Sequence, residues 1–173
     1  KNGHPLNIDD YIDRFEQSAR LLHLEVPLSK FEFIRHIYEL IQANGMDNAS
    51  IRLVLTGGYS LDGYTPANPN LLILQHGAFP YPETQYQKGV KLMSFEHQRT
   101  FPLIKAINYI VGINLLPEMK AMGAEDVLFH HNGHFTETTR ANFYIVTKDG
   151  TIVTATDGIL KGITRKQTLS NAY

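Results

Sequence analysis

The sequence predicts a mixed α/β protein built in two parts, and three observations carry that reading. Two stretches with helical apolar spacing open the chain, two short β-rich runs follow, and a Pro-rich segment separates them from a half dominated by strands and hairpins. The 173 residues suffice for one compact domain or two small ones. Hydrophobic residues at 43% and charged residues at 19% match ordinary globular usage, which excludes disordered and collagenous classes.

The first helix rests on Ile8, Tyr11, Ile12, Phe15, Ala19 and Leu22, spaced three and four apart, with Asp9, Asp10, Asp13, Glu16 and Gln17 on the other side. Asn7 is the expected cap, and the acids of the first turn suit the positive end of the helix dipole. Ser29 and Glu32 have capping-box spacing before Phe31, Ile34, Ile37, Tyr38 and Ile41, and Asn44-Gly45 supplies the stop. Ile51–Leu55 and Leu71–Leu74 read as a β pair joined by a Gly-rich stretch. The segment from Gln75 to Thr84 carries Gly77, Pro80 and Pro82 and is expected to be extended. The predicted organisation is a small α/β domain over 1–75, a linker over 76–84 and a larger domain over 85–173.

Beyond the linker, Val90–Phe95 reads as a strand and Ile107–Met122 as a largely buried helix ended by Gly123. Val127-Leu128-Phe129 and Phe135 flank Asn132-Gly133, a strong hairpin signal. A second hairpin runs from Asn142 to Thr154 around Lys148-Asp149-Gly150. The segment after Gly162 starts as a helix and reaches Tyr173 without a terminator. The opening Lys1-Asn2-Gly3-His4 looks like the exit of a hairpin whose first strand is absent, so a fragment is expected.

Lys plus Arg total 16 and Asp plus Glu 17, a net charge of −1, which provides no global field for nucleic acid or anionic lipid. The absence of cysteine excludes disulfide scaffolds, thiolate zinc sites and a cysteine nucleophile, and permits a cytoplasmic location. The most apolar window, Ile104–Leu116, is too short and too interrupted to cross a bilayer. His130, His131 and His134 crowd one hairpin, but its turn explains their spacing and no metal is expected. The Gly57–Gly63 stretch precedes a strand rather than a helix, which makes it a weak phosphate loop and a better strand connection.

Four groups carry candidate chemistry. Lys105 is flanked by apolar residues on both sides, which fits a lysine snorkelling from a buried helix start, or a desolvated amine suited to Schiff-base chemistry. Glu137 is either a solvated turn carboxylate paired with Arg140 or a ligand-facing acid at the mouth of a sheet. Gly162-Ile163-Thr164 combines close backbone approach, amides and a hydroxyl at a helix start, a recipe for holding phosphate. Arg14 fits a surface pair with Asp10 equally well.

In order along the chain, the motifs Tyr11-Ile12-Asp13-Arg14-Phe15, Ile104-Lys105-Ala106-Ile107-Asn108-Tyr109, Thr136-Glu137-Thr138-Thr139-Arg140-Ala141-Asn142-Phe143 and Ile159-Leu160-Lys161-Gly162-Ile163-Thr164-Arg165 resemble the fold type IV pyridoxal-phosphate enzymes. These are the branched-chain and D-amino-acid aminotransferases and aminodeoxychorismate lyase. The resemblance implies a two-domain α/β fold, here without the N-terminal strands and the C-terminal part of the large, cofactor-binding domain. It implies pyridoxal 5'-phosphate as cofactor, Lys105 as the Schiff-base and proton-shuttling lysine, and Glu137 as partner of the pyridine nitrogen. Arg14, Ile163 and Thr164 are the implied phosphate contacts, and Tyr109, Arg140 and Asn142 line the cofactor or its phosphate.

By the same resemblance the substrates are an amino acid, of branched-chain type, and a 2-oxo acid, and the enzyme is a cytoplasmic homodimer. The stretch Thr56–Tyr64 lacks the arginine and histidine with which D-amino-acid aminotransferases hold the substrate carboxylate, which disfavours that subclass. A β-eliminating lyase of the family and a non-catalytic relative are the alternatives.

Overall fold

The apolar spacing at the start of the chain becomes α1 (Ile8–Leu21) and α2 (Lys30–Asn44) of a computed structural model that describes residues 1–172. The chain divides into two compact units, Lys1–Pro80 and Tyr81–Tyr173. In the first, Ile12 and Phe33 are completely buried, and the Phe15 and Phe33 rings meet edge-on at 5.5 Å. Burying each such side chain contributes about 1.5–3 kcal/mol. α2 begins with the full capping box: the Glu32 amide donates to Ser29 Oγ, and the Ser29 amide donates to Glu32 Oε2 at 2.8 Å. Gly45 ends it at φ 61°. Asn7 takes the expected N-cap position of α1, its carbonyl accepting from the Tyr11 amide at 3.2 Å. Asn7 sits at φ 49° in the left-handed region, which asparagine tolerates, and its side chain makes no capping bond.

β1 (Ala49–Thr56) pairs antiparallel with β2 (Asn70–Gly77), with Leu53 opposite Ile73. Their connection is knotted around Asp62, whose carboxylate accepts from the hydroxyls of Ser60 and Thr65 and from the amides of Tyr64 and Thr65. Those donors hold the Asp62 carboxyl far below the usual range. Because β2 continues to Gly77 and α3 (Glu83–Lys88) starts before Thr84, the extended Pro-rich segment is shorter than the sequence suggested.

In the second unit, β3 (Leu92–Glu96), β4 (Asp126–His131) and β5 (His134–Thr138) form one sheet in that order. β3 runs parallel to β4, and β4 antiparallel to β5. The hairpin turn takes φ 49° at Asn132 and 76° at Gly133, left-handed at both central positions as a tight hairpin requires. The crossover from β3 to β4 contains α4 (Ile110–Asn114) and α5 (Leu116–Met122). This corrects the expected single buried helix over Ile107–Met122. Pro117 has no amide for the carbonyl of Ile113 and its ring crowds that carbonyl, so the helix breaks at Leu115. Leu115 and Met119 pack on Met93, Val127 and Phe129, whereas Ile107, Ile110 and Ile113 stay exposed. A small hairpin of β6 (Tyr144–Val146) and β7 (Ile152–Thr154) leads to α6 (Ile163–Asn171). The expectation that the segment reaches Tyr173 without a terminator falls, at Tyr173 itself, outside the described residues. No helix among the described residues is long and apolar enough to cross a membrane.

Candidate active site

Glu137 is the centre of the polar structure in the second unit. It lies on β5, 4% exposed, and is not the solvated turn residue paired with Arg140 that the plainer sequence reading expected. A buried carboxylate requires a cation or donors, and it has both. Arg99 Nε donates to Glu137 Oε1 at 2.6 Å, and the Leu160 amide donates to Oε2 at 3.0 Å. Arg140 is exposed on the adjoining turn. The sequence reading missed Arg99. A buried glutamate needs a cation, and Arg99 lies three residues past the end of the strand containing Phe95, so the signal lay in that pairing rule applied across 38 residues.

The end of β3 puts Arg99 in place. The His97 amide donates to the His130 carbonyl at 2.9 Å, extending the parallel ladder, and the His97 ring stacks edge-on against Phe129 at 4.9 Å. Burial, and then the positive charge of Arg99, push the His97 imidazole below its ordinary value, while the Glu137 carboxylate pulls the other way.

Lys105 is exposed, in an irregular segment before α4, so the expected desolvation and the helical position are both corrected. Of its near neighbours only Ile104 is buried, at 6%, while Leu103 and Ile107 face outward. Lys105 Nζ donates to Tyr109 Oη at 3.0 Å and lies 5.4 Å from the centre of that ring. α4 begins directly after Tyr109 and packs tightly on the turn following Glu137. A Cβ at Gly112 would lie 2.8 Å from Thr139 Cγ2, and Thr139 is itself anchored through Oγ1 to Asp126. The Lys105–Tyr109 pair is thus tied, through α4, to the turn that follows Glu137.

That turn also reaches the start of α6. Glu137 and Asn142 form an isolated antiparallel bridge, and the Asn142 side chain spans the segment before α6. Its Nδ2 donates to the Leu160 carbonyl at 2.8 Å, and its Oδ1 accepts from the Gly162 amide at 3.2 Å. The first helical bond of α6 runs from Lys166 to Gly162, so the amides of Ile163 and Thr164 have no acceptor inside the helix. α6 has no side-chain cap and no acid in its first turn, where Arg165 and Lys166 stand instead. Cations at the positive end of a helix dipole favour an anion there. Ile163 is buried and Thr164 exposed. Arg14 belongs to the first unit, its guanidinium 5.4 Å from the Tyr11 ring centre.

The order of motifs and the whole chain decide the family. A family model described as amino-transferase class IV matches residues 1–173. The chain belongs to the class IV aminotransferases. A Methanocaldococcus jannaschii protein, named provisionally as a branched-chain-amino-acid aminotransferase, is 30% identical over 175 residues, covering 95% of this chain and 59% of the relative. A D-alanine aminotransferase of Staphylococcus haemolyticus is 25% identical over 171 residues, covering 95% of this chain and 60% of its own length. Among solved structures, a Legionella pneumophila protein, provisionally named 4-amino-4-deoxychorismate lyase, aligns with a TM-score of 0.86 and 27% identity, over 99% of this chain and 65% of that one. This class IV chain therefore spans about three-fifths of the length of the curated relatives it matches.

Proposed function

We propose that this class IV chain is part of a pyridoxal 5'-phosphate enzyme that transfers the amino group of an amino acid, of branched-chain type, to a 2-oxo acid. The observation that carries the reading is the buried Glu137 carboxylate, cross-linked to the α6 start and joined through α4 to the Lys105–Tyr109 pair. The donor set suits the group. Glu137 has one bond on each oxygen and keeps acceptor capacity for a ring N–H. The α6 start offers the amides of Ile163 and Thr164 among cations, which suits a phosphate.

When bound, the cofactor supplies an electron-withdrawing ring that stabilises negative charge at the substrate's α-carbon. Lys105 would hold it through Nζ and then, as a free amine, would take the α-proton and deliver it to the cofactor carbon that the amine had occupied. Tyr109 Oη orients that amine by accepting its hydrogen bond. Glu137 would accept from the ring nitrogen, and Ile163 and Thr164 would bind phosphate. Arg14 and Arg140 have phosphate and cofactor roles by motif resemblance alone. A homodimer in the cytoplasm, with a small domain over 1–75 and a cofactor domain over 85–173, completes the reading by analogy.

The whole protein should show a visible absorbance band that borohydride bleaches and that Lys105→Ala abolishes, together with amino-acid-dependent turnover of a 2-oxo acid. Absence of both the band and the turnover refutes the proposal. The 0.86 TM-score to a protein named as a lyase favours a second reading, a lyase using the same residues. Pyruvate release without consumption of an amino acceptor would select it.

A further inference from the structure

The Asn142 side chain closes two gaps in one backbone segment. The segment 160–162 has no strand partner, yet its Leu160 carbonyl and its Gly162 amide are both satisfied by one carboxamide, Nδ2 at 2.8 Å and Oδ1 at 3.2 Å. An asparagine amide can make this double contact because it presents a donor and an acceptor in one plane, as a neighbouring peptide would. The fit is close. A Cβ on Gly162 would fall 2.5 Å from Asn142 Oδ1, and the short side chain, bonded at both ends, cannot move aside without losing a bond. Asn142 is in turn fixed by its backbone bridge to Glu137, whose Oε2 takes the Leu160 amide from the other side of the same residue.

We infer that Asn142 is a positioning residue rather than a cofactor contact: it holds Gly162 so that the first free amides of α6 are set for an anion, while Glu137 separately engages the preceding amide. The inference rests on the cofactor reading above and deepens it by dividing the labour of one turn. Glu137 serves the ring and Asn142 serves the phosphate. Each polar atom of the Asn142 carboxamide bonds the backbone of the segment before α6, and this pair of bonds is the positioning contact. The two peptides it clamps, 160–161 and 161–162, lie on the α6 side of Leu160, and the peptide bonded to Glu137 lies on the other.

The division has a readout that general loosening of the fold does not produce, namely the preference for pyridoxal 5'-phosphate over pyridoxal. The same ring is offered with and without phosphate, and each affinity is measured by fluorescence or absorbance titration on the whole protein. Asn142→Ala removes two hydrogen bonds next to the phosphate end and should cut affinity for pyridoxal 5'-phosphate about ten- to a hundred-fold. Affinity for pyridoxal should change by less than about threefold, so the preference collapses. Gly162→Ala breaks the same clamp from the backbone side and should give the same pattern, which keeps the test available if the first variant unfolds. Equal losses for both ligands, or no loss for either, overturn the inference while leaving the cofactor reading intact. Wild-type protein that binds neither ligand overturns the cofactor reading, and the inference with it.

Discussion

Removing Arg99 should cost this fold about 3 kcal/mol at pH 7, because its partner cannot leave the interior. The Arg99 and Glu137 side chains are 19% and 5% exposed, and Nε and Oε1 are 2.6 Å apart. In Arg99→Ala the carboxylate keeps only the Leu160 amide. It is then a buried, under-solvated anion that forfeits an attraction of about 4 kcal/mol, from charges about 4 Å apart at an effective dielectric of about 20. Urea unfolding at pH 7, with hydrogen exchange at the Leu160 amide to follow the second unit, measures it. A loss below about 0.5 kcal/mol at pH 7 would refute the reasoning, since that is what a solvated surface pair contributes.

Other outcomes follow from equally local features. Gly112→Ala pushes a Cβ to 2.8 Å from Thr139 Cγ2 and should destabilise the protein by about 1–3 kcal/mol, with partial recovery in Gly112→Ala/Thr139→Ser, where the offending methyl is absent. Ser29→Ala opens the capping box and should lower stability by about 1 kcal/mol in thermal or urea unfolding. Glu32 is held below the ordinary glutamate value of 4.5, first by the Ser29 amide, so its stabilising contribution is present above pH 4.5 and disappears as the pH falls through the lower folded value; Glu32→Gln should remove that dependence. His97 is held below 6.5 chiefly by burial, so the unfolded chain binds the extra proton and stability should decline as the pH drops from about 6.5; His97→Phe should flatten that slope in a pH series of urea melts.

The features legible in the sequence were those whose physics is local. The Ser29–Glu32 box, the Gly45 stop and the Asn132-Gly133 turn each declare themselves within a few residues, and each forms. The break at Pro117 was equally local, but the continuous apolar spacing of Ile107, Ile110 and Ile113 outweighed it, and those side chains proved exposed. What joins distant segments was hidden. Neither the parallel pairing of β3 with β4 nor the Arg99–Glu137 pair leaves a periodic trace, since each depends on where the crossover returns. For the candidate site, the sequence supplied residue types in order, and the structure supplied their surroundings: Lys105 in an exposed irregular segment beside Tyr109, Glu137 buried against Arg99, and Asn142 bonded to backbone.

The β3–β4 pairing also has a kinetic consequence. The β4–β5 and β6–β7 pairs close by short turns and can zip within microseconds, whereas β3 and β4 must wait until residues 97–125 have wound back between them. Lys105 rides on that returning stretch. A brief deuterium pulse early in refolding should therefore find the β4–β5 amides shielded before those of β3, and the amine at position 105 delivered to its post only once the slowest loop has closed.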